Sequence, residues 1–333
     1  MQDKKILITG GMGFLGQHLI HEILSRDSEV EIVILDLFRN KFLYPEDETQ
    51  VTVVSGVDIT NYDQIHSNFE SIDLVFHVAA IMKYGRRNRS ILHKINAEGT
   101  KNVLKACIEH NVKTLVQVGS IGMLQYEKNG DLSDGSTYLN WNKEGFAYYG
   151  YSKFEAVDAV LSSESSLKVM VGHPGIMLGP GDVKSQPLIR AGRNFKLFVV
   201  PAGGTNFIDV RDVALGLVHI AENGADRSSY LLTNHNLTHK QLIKSIAEAT
   251  SNKIRVGKLP SFLTFILSPL VWALEFIMPK LSLLSKEGTI KSFHKRYFDN
   301  SQTQNELKWK PKYVLEETIR SQTEWLISEG RLK

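Results

Sequence analysis

The fold of this chain is decided by residues 5–16, which read KILITGGMGFLG. Lys5–Thr9 is a short apolar run that predicts a buried strand, and the apolar spacing of Gly13–Leu24 predicts a helix with one packed face. The glycines between them fit two overlapping patterns: Gly10, Gly13 and Gly16, or Gly11, Gly13 and Gly16. A glycine-rich turn between a strand and a helix lets the backbone approach a pyrophosphate, whose charge the helix N-terminus stabilises.

The rest of the first half alternates predicted strands with predicted helices. Strands are predicted at Glu31–Asp36, Val51–Ser55, Leu74–Ala79, Thr114–Gly119 and Lys168–His173, and helices at Tyr62–Asn68, Asn96–His110 and Lys153–Ser162. This alternation indicates an α/β fold, a doubly wound parallel sheet of the Rossmann type. Beyond it the alternation loosens. We therefore predict a dinucleotide-binding domain over residues 1–175 and a smaller substrate-binding region over 176–333, with elements crossing back. In that region a capping box at Thr238 predicts a helix that ends at Ala249.

Composition narrows the class of protein. The 333 residues are 42% hydrophobic and 23% charged, which is typical of a folded soluble chain. A net charge of +3 without a dense basic run predicts no nucleic-acid partner. The single cysteine, Cys107, excludes an internal disulfide and is predicted to be a buried apolar residue. The polar lead at Met1–Lys5 fits no signal peptide, so a cytoplasmic location is expected.

Acidic residues after the second and third strands predict how an adenosine is held. Asp36 lies 20 residues past Gly16 and can accept hydrogen bonds from both ribose hydroxyls, which favours NAD. NADP is the alternative, because Arg39 can meet a 2′-phosphate. Asp58 and Ile59 can cover the adenine edge. Asp58 can instead cap the following helix, and both interpretations stand.

Three further side chains predict redox chemistry. Tyr149 and Lys153 are four residues apart and share one face of a helix. A nearby ammonium lowers a phenol pKa, so Tyr149 is predicted to exchange a proton with the substrate oxygen while Lys153 holds the nicotinamide ribose. Ser120 ends the fifth strand, where ligands bind in open α/β sheets, and is predicted to orient the substrate oxygen. Tyr148 and Tyr151 have no lysine at that spacing.

Further motifs occur in a fixed order along almost the whole chain: His77-Val78-Ala79-Ala80, Asn96-Ala97-Glu98-Gly99-Thr100, His173-Pro174-Gly175, Gly179-Pro180-Gly181, residues 206–214, Tyr297-Phe298-Asp299 and residues 307–311. With the glycine loop and Ser120, Tyr149 and Lys153, this set resembles the extended short-chain dehydrogenase/reductase family. The resemblance implies an NAD(P)-dependent oxidoreductase with Ser120, Tyr149 and Lys153 as catalytic residues. It implies a homodimer through the helices at 96–110 and 149–162.

The same resemblance implies which residues line the cofactor. They are Gly10, Gly13, Phe14, Leu15, Gly16, Asp36, Asp58, Ile59, Ala79, Ala80, Asn96, Tyr149, Lys153, Pro174 and Gly175. For Asn96 two interpretations stand. A helix-starting asparagine is commonly an N-cap, whereas the family implies a positioning role near the lysine.

Finer details resemble the branch of 3β-hydroxysteroid dehydrogenases and dihydroflavonol-reductase-like enzymes. Ile176 stands where nucleotide-sugar enzymes usually carry asparagine, and Ile121 and Gly122 replace an acidic pair usual in dehydratases. Gly119 and His173 replace a commoner serine and a commoner arginine. The branch implies hydride transfer to or from a secondary alcohol or ketone of a hydrophobic, steroid-like substrate. The alternatives are a nucleotide-sugar epimerase or dehydratase, and a non-catalytic NAD(P)-binding sensor or scaffold.

The apolar stretch Leu259–Met278 admits three interpretations. It can form a pair of helices over the substrate pocket, it can embed in one membrane face as part of a contact over residues 259–284, or it can span the bilayer. Pro269 and Glu275 interrupt it. The first two interpretations imply a hydrophobic substrate. His235 and His239 have a spacing of four but no third ligand nearby, so no metal site is predicted.

Overall fold

The computed structural model describes residues 4–127, 129–141, 145–277 and 285–332. Its strands are β1 (Lys5–Thr9), β2 (Glu31–Asp36), β3 (Val51–Ser55), β4 (Leu74–His77), β5 (Thr114–Val118), β6 (Leu132–Ser133), β7 (Lys168–Pro174), β8 (Ile176–Leu178), β9 (Leu197–Pro201), β10 (Gly204–Asp209), β11 (Ser228–Leu232), β12 (His235–Thr238), β13 (Arg255–Leu259) and β14 (Tyr297–Phe298). Its helices are α1 (Phe14–Arg26), α2 (Tyr62–Ile65), α3 (Arg89–Leu92), α4 (Gly99–Glu109), α5 (Tyr148–Leu161), α6 (Gln186–Asn194), α7 (Val210–Asn223), α8 (His239–Ala249), α9 (Leu263–Ile277), α10 (Lys286–Phe293), α11 (Ser301–Leu307) and α12 (Leu315–Ser328).

A parallel sheet of seven strands forms the centre of the molecule, in the order β11-β7-β5-β4-β1-β2-β3. All six pairings are parallel. The chain reverses direction across the sheet between β1 and β4, and at such a point the carboxyl ends of the strands leave a crevice for a ligand. The prediction of a doubly wound sheet is confirmed.

Each strand of this sheet supplies two hydrophobic cores. In β1, Ile6 and Ile8 join the core under α1 and α7, whereas Leu7 joins the opposite core with Phe69 and Cys107. Because both faces are covered, the strands are apolar throughout rather than alternating. Cys107 is fully buried, as predicted, and burial raises the pKa of its thiol.

Some predicted boundaries differ from the structure. The predicted helix at Tyr62–Asn68 is divided into α2 and a 3₁₀ turn at His66–Phe69. The helix predicted to begin at Asn96 is preceded by a π-helical segment, His93–Glu98, that runs into α4. By contrast, α8 follows its capping box, in which Thr238 N donates to Gln241 Oε1 over 2.8 Å.

Elements from the second half of the chain pack against the first half. β11 completes the large sheet beside β7, and α7 packs against α1. The remaining elements form a separate core, in which α6, α8 and α12 pack around the small sheet β12-β10-β8. The division at residue 175 stays a prediction.

The apolar stretch near the C-terminus forms α9, with Pro269 inside the helix. The described part of the stretch forms one helix rather than the expected pair, and α9 packs against α10, which begins beyond it. Phe262, Phe265 and Ile266 are nevertheless 61%, 84% and 59% exposed. Among the described residues, no helix combines the length and apolar character needed to cross a membrane. Residues 278–284 of the expected membrane contact lie outside the described residues.

A buried carboxylate fastens the C-terminal signature to α7. Asp212 accepts hydrogen bonds from the backbone N–H groups of Lys312 (2.7 Å) and Tyr313 (3.1 Å). Its own carbonyl accepts from the indole N–H of the buried Trp309 at 3.2 Å. Burial raises the pKa of Asp212 to about 6, although both backbone hydrogen bonds act in the opposite direction.

Replacing this carboxylate should loosen the C-terminal segment. Asp212→Ala leaves two backbone N–H groups without their partner, and we expect it to lower the free energy of unfolding by about 3 kcal/mol. Urea denaturation measures this loss. The exposed Asp63→Ala on α2 is the control, and equal stability of the two variants would contradict the role of Asp212.

Candidate active site

Three glycines of the loop after β1 meet different steric requirements. Gly10 has a φ of +72°, and a Cβ there would lie 2.7 Å from the backbone of Ala79. Gly13 is exposed, and its Cβ would meet only the carbonyl of Gly10, at 3.1 Å. At Gly16 a Cβ would lie 2.4 Å from that same carbonyl. The tight turn, the open approach and the close packing of a dinucleotide loop are therefore all present, which favours the pattern that begins at Gly10.

The first turn of α1 and Asp36 border this loop. α1 begins at Phe14 without a side-chain cap, so its first backbone N–H groups remain available to an anion. The side chain of Leu15 is in the core, which leaves only its backbone to face a cofactor. The Asp36 carboxylate accepts from Met12 N at 3.0 Å and from Phe38 N at 3.2 Å, which fixes it beside the loop. These residues fit an adenine dinucleotide.

The two alternatives for Asp58 are now distinguished in part. Asn61, not Asp58, caps α2 by accepting a hydrogen bond from Asp63 N, so the helix-cap interpretation is wrong. Asp58 Oδ1 instead accepts from Thr60 N at 2.9 Å and shapes the loop after β3. Ile59 is buried and packs on Gly99. Their contact with adenine stays a prediction. Arg39 forms an exposed ion pair with Glu48 over 2.9 Å.

Asn96 links the loop after β4 to the helix of the candidate tyrosine. Its Oδ1 accepts from Ile81 N at 2.8 Å, and its Nδ2 donates to Ile81 O and to Ser152 Oγ, both at 3.0 Å. Ser152 Oγ in turn donates to the carbonyl of Tyr149 at 2.9 Å. The N-cap interpretation of Asn96 is therefore wrong. The side chain joins Ile81, in the loop after β4, to Ser152 of α5.

A neutral histidine, His77, connects the hydrogen bonds of Asn96 to β1. His77 Nδ1 lies 2.6 Å from Thr9 Oγ1, and its Nε2 lies 2.9 Å from Thr100 Oγ1. Because Thr100 donates to the carbonyl of Asn96, it accepts from His77 Nε2–H, and Thr9 then donates to Nδ1. Burial lowers the pKa of His77 to about 3, which agrees with the neutral tautomer that this pattern requires.

The structure brings Ser120 and Tyr149 together. Both side chains border Gly122, whose N–H donates to Ser120 Oγ at 3.0 Å, and a Cβ there would lie 3.1 Å from Ser120 Oγ and 3.5 Å from the Tyr149 ring. The ring of Tyr84 packs edge-to-face on Tyr149, with 6.1 Å between centroids. Burial raises the pKa of Tyr149 above its usual value, Tyr84 adds to this shift, and the nearby hydroxyl of Ser120 opposes it. The phenol is therefore neutral at pH 7 and can donate a proton to a substrate oxygen.

Lys153 lies one turn further along α5, but its ammonium does not act on the phenol as predicted. The side chain is buried, and its Nζ donates to the carbonyl of Val118 over 2.6 Å. Burial lowers the pKa of Lys153 to about 8. The predicted lowering of the Tyr149 pKa by Lys153 is thus wrong for this structure, because the ammonium turns to β5 and desolvation of the phenol dominates.

Gly119 and His173, at the ends of β5 and β7, are the two departures from the family pattern, and their packing explains both. His173 is buried at the end of β7, and neither ring nitrogen has a partner in the described part of the chain. A Cβ on Gly119 would lie 2.2 Å from its Nδ1. A serine at 119 and a histidine at 173 are therefore incompatible here. Pro174 ends β7, and a Cβ on the following Gly175 would lie 2.6 Å from Asn206 Oδ1.

A buried ion pair that the sequence did not predict lies beside Gly122. Lys291 Nζ of α10 donates to the carbonyl of Gly122 at 3.0 Å and to Glu287 Oε1 at 2.8 Å. Their spacing of four residues was the available signal. It did not distinguish this pair from the exposed Glu316 and Arg320 of α12, which are also four residues apart.

Comparison with known proteins places the chain in a family. Residues 7–212 match the sequence profile of the 3-beta hydroxysteroid dehydrogenase/isomerase family. The chain belongs to this family. This 3-beta hydroxysteroid dehydrogenase/isomerase family member has the extended short-chain dehydrogenase/reductase architecture that its motifs predicted, and its relatives are oxidoreductases.

Individual relatives support the same placement. The family member is 27% identical to the "3beta-hydroxysteroid-dehydrogenase/decarboxylase isoform 1" of Arabidopsis thaliana, over 96% of this chain and 78% of that protein. It is 23% identical to the "Putative dihydroflavonol 4-reductase" of Synechocystis sp. (strain ATCC 27184 / PCC 6803 / Kazusa), over 98% and 95%. Among solved structures, DesIV, a dTDP-glucose 4,6-dehydratase from Streptomyces venezuelae with NAD bound, superimposes with a TM-score of 0.75 at 15% identity and 99% coverage of both chains.

The buried ammonium of Lys153 should cost stability. Lys153→Met removes it, and Val118 O keeps a partner in Gln117 Nε2 at 3.1 Å. We therefore expect the variant to be more stable than the wild type by about 2 kcal/mol at pH 7. Thermal unfolding without cofactor measures the difference.

The pH dependence of this gain follows from the pKa of Lys153, which is about 8 when folded and 10.5 at its ordinary value. Between these values the unfolded wild type binds more protons than the folded one, so wild-type stability rises with pH. The advantage of Lys153→Met should be largest below pH 8 and shrink towards pH 10.5. A constant difference would contradict a charge effect.

Proposed function

We propose that this protein is an NAD-dependent oxidoreductase that interconverts a secondary alcohol and a ketone on a hydrophobic, steroid-like substrate. The observation that carries the proposal is that Ser120 and Tyr149 both border Gly122, with Lys153 one turn along α5, at the carboxyl edge of a sheet whose glycine loop fits a dinucleotide. NADP remains the alternative cofactor.

The residues divide the work of the reaction. Ser120 and Tyr149 hold the substrate oxygen between their hydroxyl groups. In reduction the neutral Tyr149 gives its proton to the carbonyl oxygen and becomes a phenolate; in oxidation the phenolate takes the proton of the alcohol and returns to the neutral phenol. Lys153 supplies a buried positive charge and a donor for the nicotinamide ribose. Asn96 holds the loop after β4 at a fixed distance from α5. The bound nicotinamide supplies or accepts the hydride.

A hydrophobic substrate is supported by the position of Ile176 and by the apolar α9. Ile176 is 42% exposed at the start of β8, where nucleotide-sugar enzymes usually carry asparagine. The second candidate function is nucleotide-sugar epimerisation or dehydration, which the fold of the DesIV dehydratase favours. A panel of hydroxysteroids, other apolar secondary alcohols, and UDP- and dTDP-sugars distinguishes these candidates by net nicotinamide reduction and by product identity.

Removal of the phenol should stop turnover without loss of cofactor. Tyr149→Phe is expected to lower kcat by about 10³-fold, because the proton donor is lost. The Kd for NAD should stay within about twofold. The matched control is Tyr151→Phe, on the same helix, whose side chain is 39% exposed. If Tyr149→Phe keeps wild-type turnover, the assignment of the proton donor fails; if the protein binds NAD without turning over any alcohol or sugar, the sensor or scaffold alternative stands.

We further propose that α9 binds one face of a lipid bilayer. Phe262, Phe265 and Ile266 present adjacent exposed apolar side chains, and Lys258 lies at the end of the preceding strand. Large exposed apolar groups near one another are typical of a membrane or partner contact. Such a contact would give the site access to a substrate dissolved in lipid.

Vesicle flotation tests this contact. The variant Phe265→Ser with Ile266→Ser should lower the fraction bound to phosphatidylcholine vesicles by at least about tenfold, because each buried side chain contributes about 1.5–3 kcal/mol. Val314→Ser is the control, since Val314 is 60% exposed away from α9. Equal binding of both variants would exclude α9 as the contact.

The homodimer and the cytoplasmic location stay predictions. The faces of α4 and α5 implied for the dimer carry exposed side chains such as Ile108 and Tyr151. Analytical ultracentrifugation measures the oligomeric state directly.

A further inference from the structure

A buried carboxylate oxygen beside the candidate triad lacks a partner. Glu287 is 1% exposed, and one of its oxygens, Oε1, accepts from Lys291. Its other oxygen, Oε2, is buried and has no hydrogen-bond partner in the part of the chain that the structure describes. An unsatisfied buried acceptor is costly, and the cost is larger when the group is charged. Such a group in a folded protein needs an explanation.

The position of Glu287 supplies one. Lys291, its partner, also donates to the carbonyl of Gly122, and Gly122 N donates to Ser120 Oγ. A Cβ on Gly122 would lie 3.5 Å from the ring of Tyr149. The ion pair therefore lies against the turn that holds Ser120. The charge of Glu287 also adds to the raised pKa of Tyr149 and of Tyr84.

The chemistry of Glu287 Oε2 restricts which groups can bind to it. A carboxylate oxygen is an acceptor only, so it favours an O–H donor. A second carboxylate would bring two acceptors together and is disfavoured. An apolar group would leave Oε2 unsatisfied, and enzymes discriminate strongly against substrates that leave a buried polar group unpaired.

We propose that Glu287 recognises a second hydroxyl group of the substrate, close to the carbon whose oxygen lies between Ser120 and Tyr149. The inference rests on the proposed function and makes its substrate class narrower: an apolar alcohol with a neighbouring O–H donor. Lys291 is the positioning residue that balances the charge of Glu287 and orients its free oxygen.

Three substrates test this assignment: a 3β-hydroxysteroid, and two analogues with a hydroxymethyl or a carboxylate group on the neighbouring ring carbon. The wild type should prefer the hydroxymethyl compound in kcat/KM. Glu287→Gln keeps an acceptor for Lys291 and places an amide donor where Oε2 was. We expect it to lower kcat/KM for the hydroxymethyl compound by about 30-fold and to leave the unsubstituted alcohol within about threefold. Glu316→Gln, in the exposed pair with Arg320, is the matched control.

The outcomes separate the inference from the proposed function. If no alcohol is turned over, the proposed function fails, and the Kd values of the three compounds for the NAD-bound protein still test Glu287. An equal effect of Glu287→Gln on all three compounds, or a wild-type preference for the carboxylate, would overturn the inference. If Glu287→Gln does not fold, the double variant Glu287→Leu with Lys291→Met replaces the pair by apolar side chains, and the same loss of preference is required.

Discussion

A chain of buried hydrogen bonds runs from the first strand to the candidate proton donor, and the site depends on it. Thr9 bonds to His77, His77 to Thr100, Thr100 to the carbonyl of Asn96, and the Asn96 amide to Ser152, whose hydroxyl reaches the carbonyl of Tyr149. Each donor and acceptor in the chain has one role, which fixes the neutral state of His77. Because unpaired buried polar groups are costly, the loop after β4 and the helix α5 keep one relative position.

The two halves of the site are built differently. On the cofactor side, glycines at close approach and backbone N–H groups form a rigid cradle that the first sheet strands position. On the other side, α10 contacts the turn after Ser120 through Lys291, which pairs with Glu287 and donates to the carbonyl of Gly122. Elements from both halves of the chain therefore meet beside Ser120 and Tyr149.

The sequence predicted the large sheet closely and the site in part. β1 and β2 match their predicted bounds because strands buried on both faces are long apolar runs, and the partly exposed edge strand β3 matches as well. Ser120 and Tyr149 are in contact, as their motif implied. Three features of the site could not be predicted: the hydrogen bonds of Asn96, the direction of the Lys153 ammonium and the burial of Glu287. Each depends on contacts between segments that are far apart in the chain. Local spacing gives Glu287 and Glu316 the same pattern, and only tertiary packing separates them.

The packing of α7 on α1 affects how the chain folds during its synthesis. α1 begins at Phe14, directly after the glycine loop, yet the helix that covers its apolar face does not begin until Val210. Until the ribosome has delivered α7 and β11, α1 has an uncovered face and β7 has an open edge. A nascent chain that ends at residue 175 thus lacks elements that complete its own core, and it carries the exposed apolar surface and free strand edge that chaperones protect.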